Sequence, residues 1–354
     1  MKALRLLDFK IQLLLLSLLH LATDGLCAYL VFSKLYPENP TVAVFIFLGY
    51  NLLAFVTQSP IGILIDRYNA PKLFLSVSAV FLFLGYALSG IALLSVAFIG
   101  LGNSLFHVAG GKHVTDKSGN DISHLGIFVS TGALGLFLGQ RLSSFVPLVY
   151  IFFSIITVCT VLMIFTDSDG NKTCDAEYKS ASKSGAKIAL LAVVGVVFIR
   201  SFVGKIVAGG FNMTEYVLLA IAIATSLGKA MGGICAKLFG INLTTALSMS
   251  VAAVCLTLGA NNPIMFVIGV FAFNFSMPIT LYFANVILKG NEGFAFGTLA
   301  AFLTPGYLLA LSFSYSPLFK MITAILCLLS ITAIILISRG MKIKNVSSDN
   351  DNNS

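Results

Sequence analysis

Long apolar stretches follow one another along the whole chain and are separated by short groups of Gly, Pro, Asn and charged residues. An α-helix needs about 20 apolar residues to cross the hydrocarbon core of a bilayer. A helix satisfies its own backbone hydrogen bonds in lipid, so these stretches predict membrane-spanning helices. About twelve are predicted, and the boundary between the third and the fourth is the least distinct. The predicted spans are Ile11–Phe32, Val42–Ile65, Leu73–Leu93, Leu94–Gly111, Ile122–Leu142, Phe145–Phe165, Ile188–Ala208, Glu215–Phe239, Asn242–Gly259, Pro263–Leu288, Phe294–Phe313 and Pro317–Ile337.

One polar tract divides these spans into two groups of six. It covers residues 167–187, is rich in Ser and Lys, and has no apolar periodicity. The predicted organisation is therefore an N-terminal six-helix bundle (residues 1–166), a cytoplasmic central loop (167–187), a C-terminal six-helix bundle (188–339) and a disordered cytoplasmic tail (340–354).

The two halves are predicted to be parallel repeats, because equal numbers of spans suggest an internal duplication. Residues of the same type recur at an offset of 171 positions on equivalent helices. The matching pairs are Gly62 with Gly233, Asn103 with Asn274, and Gly135 with Gly306. The predicted fold is thus an all-α integral membrane protein built from two six-helix bundles.

Composition and charge agree with membrane insertion. Hydrophobic residues make up 58% of the chain, charged residues only 10%, and the mean hydropathy is +0.96, whereas about a quarter of the residues in soluble domains are charged. Most Lys and Arg residues lie on the side of the termini, which predicts cytoplasmic termini. Anionic lipid beside these loops accounts for the net charge of +8, so no nucleic acid partner is expected. The six scattered cysteines show no C-x-x-C spacing, and neither a metal site nor a cofactor is predicted.

The loop between the second and third spans carries a charged pattern next to a glycine. Its residues Gly62, Asp66, Arg67 and Lys72 follow the spacing G-x-x-x-D-R-x-x-x-x-K. This spacing resembles the signature loop of the major facilitator superfamily. The resemblance implies that Asp66 helps to latch the two halves together on the cytoplasmic side. The equivalent segment of the second half, GGICAKLFG, has Lys237 in place of the aspartate.

Three further segments of the first half narrow the resemblance. They are LLHLATDGL in the first span, QSPIG in the second and IGLGNSLFHVAGG in the fourth. Together they resemble the fosmidomycin-resistance branch of that superfamily, which implies efflux coupled to protons. The branch usually continues its F-H pair with Pro and an acidic residue, whereas this chain has Val108 and Ala109.

Two ionisable residues interrupt the first span. His20 and Asp24 are four residues apart and therefore share one face of a helix. Ionisable groups within a membrane usually face a cavity and usually take part in function. We interpret Asp24 as a proton carrier assisted by His20 and by His107 of the fourth span. The alternative is a structural carboxylate that neutralises a buried Arg of another helix.

Two cations, Arg200 and Lys229, lie deep within spans and outnumber the one clear acid of the first-half spans, and Arg141 lies nearer the outer side. Arg200 and Lys229 are too deep to reach the headgroups easily, whereas Arg141 either reaches the outer surface or faces the cavity. Excess positive charge favours an anionic substrate. Neutral residues with hydrogen-bonding side chains complete the predicted lining, each with interhelical bonding as its alternative role. They are Asn51, Gln58, Asn103, Asn274 and Tyr282.

These features together predict a secondary active transporter that works by alternating access. The specific expectation is proton-coupled efflux of a small anionic or amphipathic compound by a monomer in the plasma (inner) membrane. Symport or exchange uptake of an anionic metabolite is the alternative within transport. A membrane-embedded enzyme that uses His20, Asp24 and His107 is the alternative from another class, and we expect the protein not to be an enzyme.

Overall fold

Twelve apolar helices make up most of the described part of the chain. The computed structural model describes residues 9–166, 176–178, 183–209, 213–259, 262–314 and 316–343. Eleven helices are long and apolar enough to cross a membrane, and a shorter apolar helix completes the set. They are α1 (Phe9–Glu38), α2 (Pro40–Tyr68), α3 (Pro71–Ala87), α4 (Ala92–Ser118), α5 (Ile122–Arg141), α6 (Pro147–Phe165), α7 (Lys183–Ala208), α8 (Glu215–Phe239), α9 (Ile241–Leu258), α10 (Pro263–Ile287), α11 (Glu292–Leu311) and α12 (Pro317–Arg339).

The predicted fold class is confirmed, with twelve helices in two six-helix bundles. The third predicted span was drawn too long, because α3 ends at Ala87 and α4 begins at Ala92. The fourth was drawn too short, since α4 continues to Ser118 and carries charged residues in its last turns. Polar side chains at the end of a helix can lie between helices or beyond the hydrocarbon, so hydropathy alone sets the end too early.

Several helices are locally distorted. Turns of π-helix occupy Tyr29–Leu35 in α1 and Leu52–Val56 in α2. The α-helical ladders of α5 and α11 are interrupted at Thr131 and Phe302, which are 171 residues apart. The interruption in α10 follows Phe273, and Pro278 cannot donate a hydrogen bond to the carbonyl four residues earlier.

A short antiparallel ribbon connects the central loop to the segment after α12. Strand β1 (Ala176–Tyr178) pairs with β2 (Met341–Ile343). The central loop and the tail were predicted to have no regular structure, whereas β1 lies in the loop and β2 in the tail. Helix α7 begins at Lys183, five residues before the predicted seventh span. The remaining predicted loop and tail residues, 167–175, 179–182 and 344–354, lie outside the described residues.

Contacts between the bundles repeat the twofold pattern of the sequence. Helix α2 packs against α11, and its counterpart α8 packs against α5. At Gly62 a Cβ atom would lie 2.3 Å from the carbonyl oxygen of Gly293, and at Gly233 it would lie 2.4 Å from that of Ile122. These glycines allow two helix starts to approach the opposite bundle, and both contacts lie at the end where α1 begins and α12 ends. We call this end the terminal end and the opposite one the far end.

Candidate functional site

A cavity of about 440 Å³ lies between the two bundles. Its volume is within the range of about 300–1,000 Å³ typical of small-molecule sites. Its walls include side chains close to the far end of four helices, namely Phe32, Phe47, Gln140 and Tyr307. The cavity therefore extends from the middle of the molecule towards the far end.

Close helix contacts separate the cavity from the terminal end. A Cβ atom on Gly297 of α11 would lie 2.1 Å from the carbonyl oxygen of Gln58 on α2. A Cβ atom on Gly126 of α5 would lie 2.7 Å from the carbonyl oxygen of Lys229 on α8. The described structure is thus closed at the terminal end.

His20, Asp24 and His107 form one cluster on the wall of the cavity, which we call the triad. The Nε2 atom of His20 lies 3.3 Å from Oδ2 of Asp24 and 3.0 Å from Nε2 of His107. The Nε2 atom of His107 lies 3.6 Å from Oδ1 of Asp24. The three predicted proton-coupling residues are therefore in direct contact, although they come from two helices.

Backbone carbonyls fix the tautomers of both rings. Nδ1 of His20 lies 2.8 Å from the carbonyl oxygen of Phe128, and Nδ1 of His107 lies 2.9 Å from that of Asn103. A carbonyl only accepts, so each Nδ1 donates its hydrogen. The facing Nε2 atoms then present two lone pairs beside a carboxylate. Three acceptors at such distances repel one another, so a proton on one of them, or a cation bound among them, would stabilise the arrangement.

Asn103 supports the triad without facing the cavity. Its Nδ2 atom donates to Oδ1 of Asp24 at 3.0 Å. Asn103 is 1% exposed and does not line the cavity. We predicted it as a substrate contact, but in this structure it orients a residue that does line the cavity.

Two cations line the same cavity. Arg200 and Lys229 belong to α7 and α8 of the second half, and the triad belongs to the first half. The Nη1 atom of Arg200 lies 3.5 Å from Oγ1 of Thr280, at the limit of a hydrogen bond. Neither cation has an ion-pair partner within the described ranges. Their charges are thus available to an anion in the cavity.

Neutral polar groups and apolar walls complete the lining. Asn51 and Gln58 line the cavity as predicted, and each donates its amide to a carbonyl of its own helix. Oε1 of Gln58 and Oγ1 of Thr304 are buried without a hydrogen-bond partner in the described structure. Such atoms are rare in folded proteins, so both can accept or exchange hydrogen bonds with a bound molecule. The apolar part of the lining includes Phe32, Phe47, Phe55, Phe296 and Leu299.

Three predicted substrate contacts besides Asn103 do not line the cavity. Asn274 donates to the carbonyl of Val270 in its own helix. The carbonyl of Tyr282 accepts a hydrogen bond from Asn120 near the terminal end. The exposed Arg141 lies at the far end, where its Nη1 atom is 3.1 Å from Oε1 of Glu215.

The predicted signature loop lies at the terminal end. Oxygens of Asp66 accept hydrogen bonds from the backbone N–H groups of Gly293 and Phe294, both at 2.8 Å. This places a carboxylate at the N-terminus of α11, where it is favoured by the helix dipole. Lys72 donates to the carbonyl of Thr166, and Arg67 is exposed.

A buried lysine extends this contact, and the sequence reading missed it. Nζ of Lys112 lies 3.4 Å from Asp66, 3.2 Å from Asp116 and 3.5 Å from Glu292. We had placed Lys112 in a loop, whereas it belongs to α4. The four side chains, which we call the first latch, join both bundles.

A second latch occupies the position related by the repeat. Nζ of Lys237 lies 2.5 Å from Oδ2 of Asp121, which caps the N-terminus of α5 by accepting from the N–H of Ser123 at 2.9 Å. Lys237 is the repeat-related counterpart of Asp66, and Glu292 is that of Asp121, since each pair is 171 residues apart. The lysine that replaces aspartate in the second copy therefore makes an ion pair at the equivalent helix start.

Asp121 keeps this second latch charged at neutral pH. Burial acts to raise the pKa of Asp121, but hydrogen bonds from Lys237 and Ser123 outweigh it and lower that pKa below its usual value. A lowered carboxyl pKa stabilises the contact above the ordinary value of about 3.9, and this contribution is lost as pH falls through the lowered pKa. Any pH dependence between about 5 and 8 therefore originates elsewhere.

The two latches are expected to differ in strength. Asp66 is buried and accepts two backbone bonds, and bonds to charged groups contribute about 1.5–3 kcal/mol. The side chain of Lys237 is 51% exposed, and exposed ion pairs contribute about 0.2–1 kcal/mol. Asp66→Asn should therefore reduce the ratio of closed to open terminal ends roughly 10- to 100-fold, and Lys237→Gln at most about 5-fold. Distances between spin labels on the two bundles measure both ratios. Equal effects of the two substitutions would contradict the assignment.

No family model and no curated protein matches the sequence. Solved structures do share the fold. The fucose:proton symporter FucP of E. coli, in a variant with one substitution, is 12% identical with a TM-score of 0.63, and the match covers 93% of this chain and 97% of that chain. A structure of FucP in the outward conformation, described as a Major Facilitator Superfamily transporter, is 14% identical with a TM-score of 0.69, covering 94% and 99%. The human organic anion transporter MFSD10 (TETRAN) is 12% identical with a TM-score of 0.63, covering 92% and 99%.

Identities this low show the fold and not the activity. The resemblance to the fosmidomycin-resistance branch stays a prediction, since none of these structures belongs to a protein described in that way. The matches nevertheless cover 92–94% of this chain and 97–99% of the three solved chains. The chain therefore has the fold of major facilitator superfamily transporters.

Proposed function

We propose that the protein is a secondary active transporter that moves a small anion by alternating access. The observation that carries this proposal is a cavity between two repeat-related bundles, closed at the terminal end by two latches and extending towards the far end. With both termini in the cytoplasm, as the distribution of Lys and Arg favours, the described state faces outward. Rocking of the bundles then breaks the latches and exposes the same site to the cytoplasm.

The proposed substrate is small, anionic and amphipathic. Arg200 and Lys229 supply two positive charges without ion-pair partners in the described structure, against the one carboxylate of Asp24. Gln58 and Thr304 offer hydrogen bonds, and aromatic side chains line the remaining wall. An arginine and a lysine on neighbouring helices suit a carboxylate, a phosphonate or a phosphate ester.

Coupling to protons is proposed at the triad. The Nε2 atoms of His20 and His107 lie 3.0 Å apart, so a proton on one of them can be shared as a hydrogen bond with the other, which supports the proposal. The triad would be protonated from the outside and would release the proton to the cytoplasm. This inward movement of protons would drive export of the anion in exchange. The resemblance to an efflux branch supports this direction, and the proposed location is the plasma (inner) membrane, where the protein acts as a monomer.

Symport is the second candidate, because one structural neighbour is described as a fucose:proton symporter. The other neighbour, described as an organic anion transporter, supports the substrate class but not a direction. Proteoliposomes with an imposed pH gradient separate the two. An antiporter accumulates the anion on the side of higher proton concentration, and a symporter accumulates it on the side of lower concentration.

Counterflow tests the transporter itself. Candidate anions are first screened for thermal stabilisation of the purified protein, since a ligand that binds the folded state raises its stability. Proteoliposomes loaded with the unlabelled hit should then take up labelled compound transiently and return it chemically unchanged. Chemical conversion would favour the membrane-embedded enzyme instead. Failure of every stabilising anion to exchange would contradict the proposal.

Replacing Arg200 should weaken substrate binding. Arg200→Gln removes a charge-assisted hydrogen bond, which contributes about 1.5–3 kcal/mol, so the half-saturating concentration in counterflow should rise roughly 10- to 100-fold. Arg141→Gln is the matched control, because Arg141 is exposed and does not line the cavity. The assignment fails if both variants shift the concentration equally or if neither does.

A further inference from the structure

The acceptor atoms of the triad have the spacing of metal ligands. The Nε2 atoms of His20 and His107 lie 3.0 Å apart, and they lie 3.3 Å from Oδ2 and 3.6 Å from Oδ1 of Asp24, respectively. Zinc binds imidazole nitrogen and carboxylate oxygen at about 2.0–2.2 Å in a tetrahedron, so its neighbouring ligand atoms lie about 3.3–3.6 Å apart. One ligand atom from each of the three residues lies within 4.8 Å of the other two, so an ion between the rings and the carboxylate could bind all three residues.

The surroundings of the triad are those of a prepared metal site. Histidine ligands typically donate their second ring nitrogen to a backbone carbonyl, which fixes the ring and leaves the other nitrogen free to bind. His20 and His107 do so through Phe128 and Asn103. Asp24 is held by the amide of Asn103. Each of the three ligands thus has a second-sphere partner.

The fourth coordination position faces the cavity. His20, Asp24 and His107 all line it, so a bound ion would be accessible to a molecule inside. Three protein ligands with one open position are typical of sites where a metal meets a substrate. Two imidazoles favour zinc, cobalt, nickel or iron over magnesium and calcium, which prefer oxygen.

The charge of the cavity restricts how such an ion arrives. Arg200 and Lys229 already outweigh Asp24 by one positive charge, so a bare divalent cation would enter against repulsion. An ion that carries an anionic ligand avoids this, because the acidic groups of the ligand meet the two cations.

We propose that His20, Asp24 and His107 bind a divalent transition-metal ion, and that the substrate is an anionic organic complex of that metal. The first part rests on the geometry of the triad alone, and the second rests on the proposed function. This departs from the expectation of no metal, which came from spacing along the sequence. The ligands come from α1 and α4, which sequence spacing does not reveal.

Cobalt(II) absorption tests the site in the purified full-length protein. Four-coordinate Co²⁺ has intense visible bands that six-coordinate aqueous Co²⁺ lacks. These bands are expected when Co²⁺ is added with citrate as the carboxylate ligand, and more weakly with Co²⁺ alone. His20→Gln and His107→Gln should each weaken binding more than about 100-fold, and Asn103→Ala by about 10- to 100-fold, as losses of second-sphere partners do.

His124→Gln is the control, because His124 contacts Asp121 at the terminal end and should leave the bands unchanged. Thermal unfolding of each variant shows that the fold is kept. The proposal is overturned if the unchanged protein gives no four-coordinate bands in either condition, or if the bands survive both histidine substitutions. Counterflow of a metal-free anion with a chelator present tests the transporter separately, so either proposal can fail while the other stands.

Discussion

Asp24→Asn is expected to abolish transport driven by a pH gradient while leaving exchange of a metal-free anion across the membrane substantially intact. The amide has nearly the shape of the carboxylate and no negative charge. Its amide nitrogen in the place of Oδ2 can donate to Nε2 of His20, which lies 3.3 Å from the present Oδ2, while the amide oxygen in the place of Oδ1 still accepts from Asn103. The variant therefore resembles permanently the state in which the triad holds a proton.

Three properties of the variant, namely its fold, its exchange and its coupling, test this expectation. Expression level and thermal unfolding report the fold, counterflow reports exchange, and accumulation under a pH gradient reports coupling. Thr23→Val is the matched control, because Thr23 is buried on the same helix and does not line the cavity. A folded Asp24→Asn protein that still accumulates substrate under the gradient would exclude Asp24 as the coupling residue.

The structural alternative makes a different prediction. If Asp24 only neutralised a buried Arg, its removal would leave an unpaired charge in hydrocarbon and the protein would unfold or express poorly. In the structure, Asp24 contacts His20, His107 and Asn103, whereas Arg200 lies near Thr280. These contacts favour the functional interpretation. The fold, exchange and coupling of the Asp24→Asn variant distinguish a coupling role of Asp24 from a structural one.

The sequence predicted the helices well because lipid imposes a length and a hydropathy on every span. The eighth span was predicted with the bounds of α8 itself, Glu215–Phe239. Charged helix ends were harder to place. Lys112 and Asp116 looked like loop residues because they are charged, yet each finds partners of opposite charge in the first latch. Ion pairing of this kind depends on side chains of neighbouring helices, and the hydropathy of a single segment carries no information about them.

The candidate site was partly predictable for a similar reason. Intramembrane charges point to a cavity, and His20, Asp24, Arg200 and Lys229 do line one. Neutral side chains gave a weaker signal, because a helix offers them carbonyls of its own. Asn274 bonds in this way outside the cavity, whereas Gln58 bonds similarly but lines the cavity, and its Oε1 has no hydrogen-bond partner in the described structure. Distinguishing these cases requires the rotation of each helix, which the tertiary packing sets.

Gly297→Ala is expected to shift the protein from the described state towards one that is open at the terminal end. The added Cβ atom would lie 2.1 Å from the carbonyl oxygen of Gln58, which belongs to backbone and cannot move aside easily. Overpacking of this kind costs about 1–3 kcal/mol, so the ratio of closed to open terminal ends should fall roughly 5- to 150-fold. A state in which α2 and α11 separate there does not incur this cost.

The same argument applies at a second position of the α2–α11 contact, which makes the prediction specific. Gly62→Ala should act like Gly297→Ala, because its Cβ atom would lie 2.3 Å from the carbonyl oxygen of Gly293. Gly195→Ala and Gly204→Ala are the controls, since no heavy atom of another residue lies within 4 Å of an added Cβ on either. Distances between spin labels on α2 and α11 at the terminal end report the shift. If the two interface variants keep the distances of the controls, the terminal end is not the contact that opens, and alternating access about this interface is excluded.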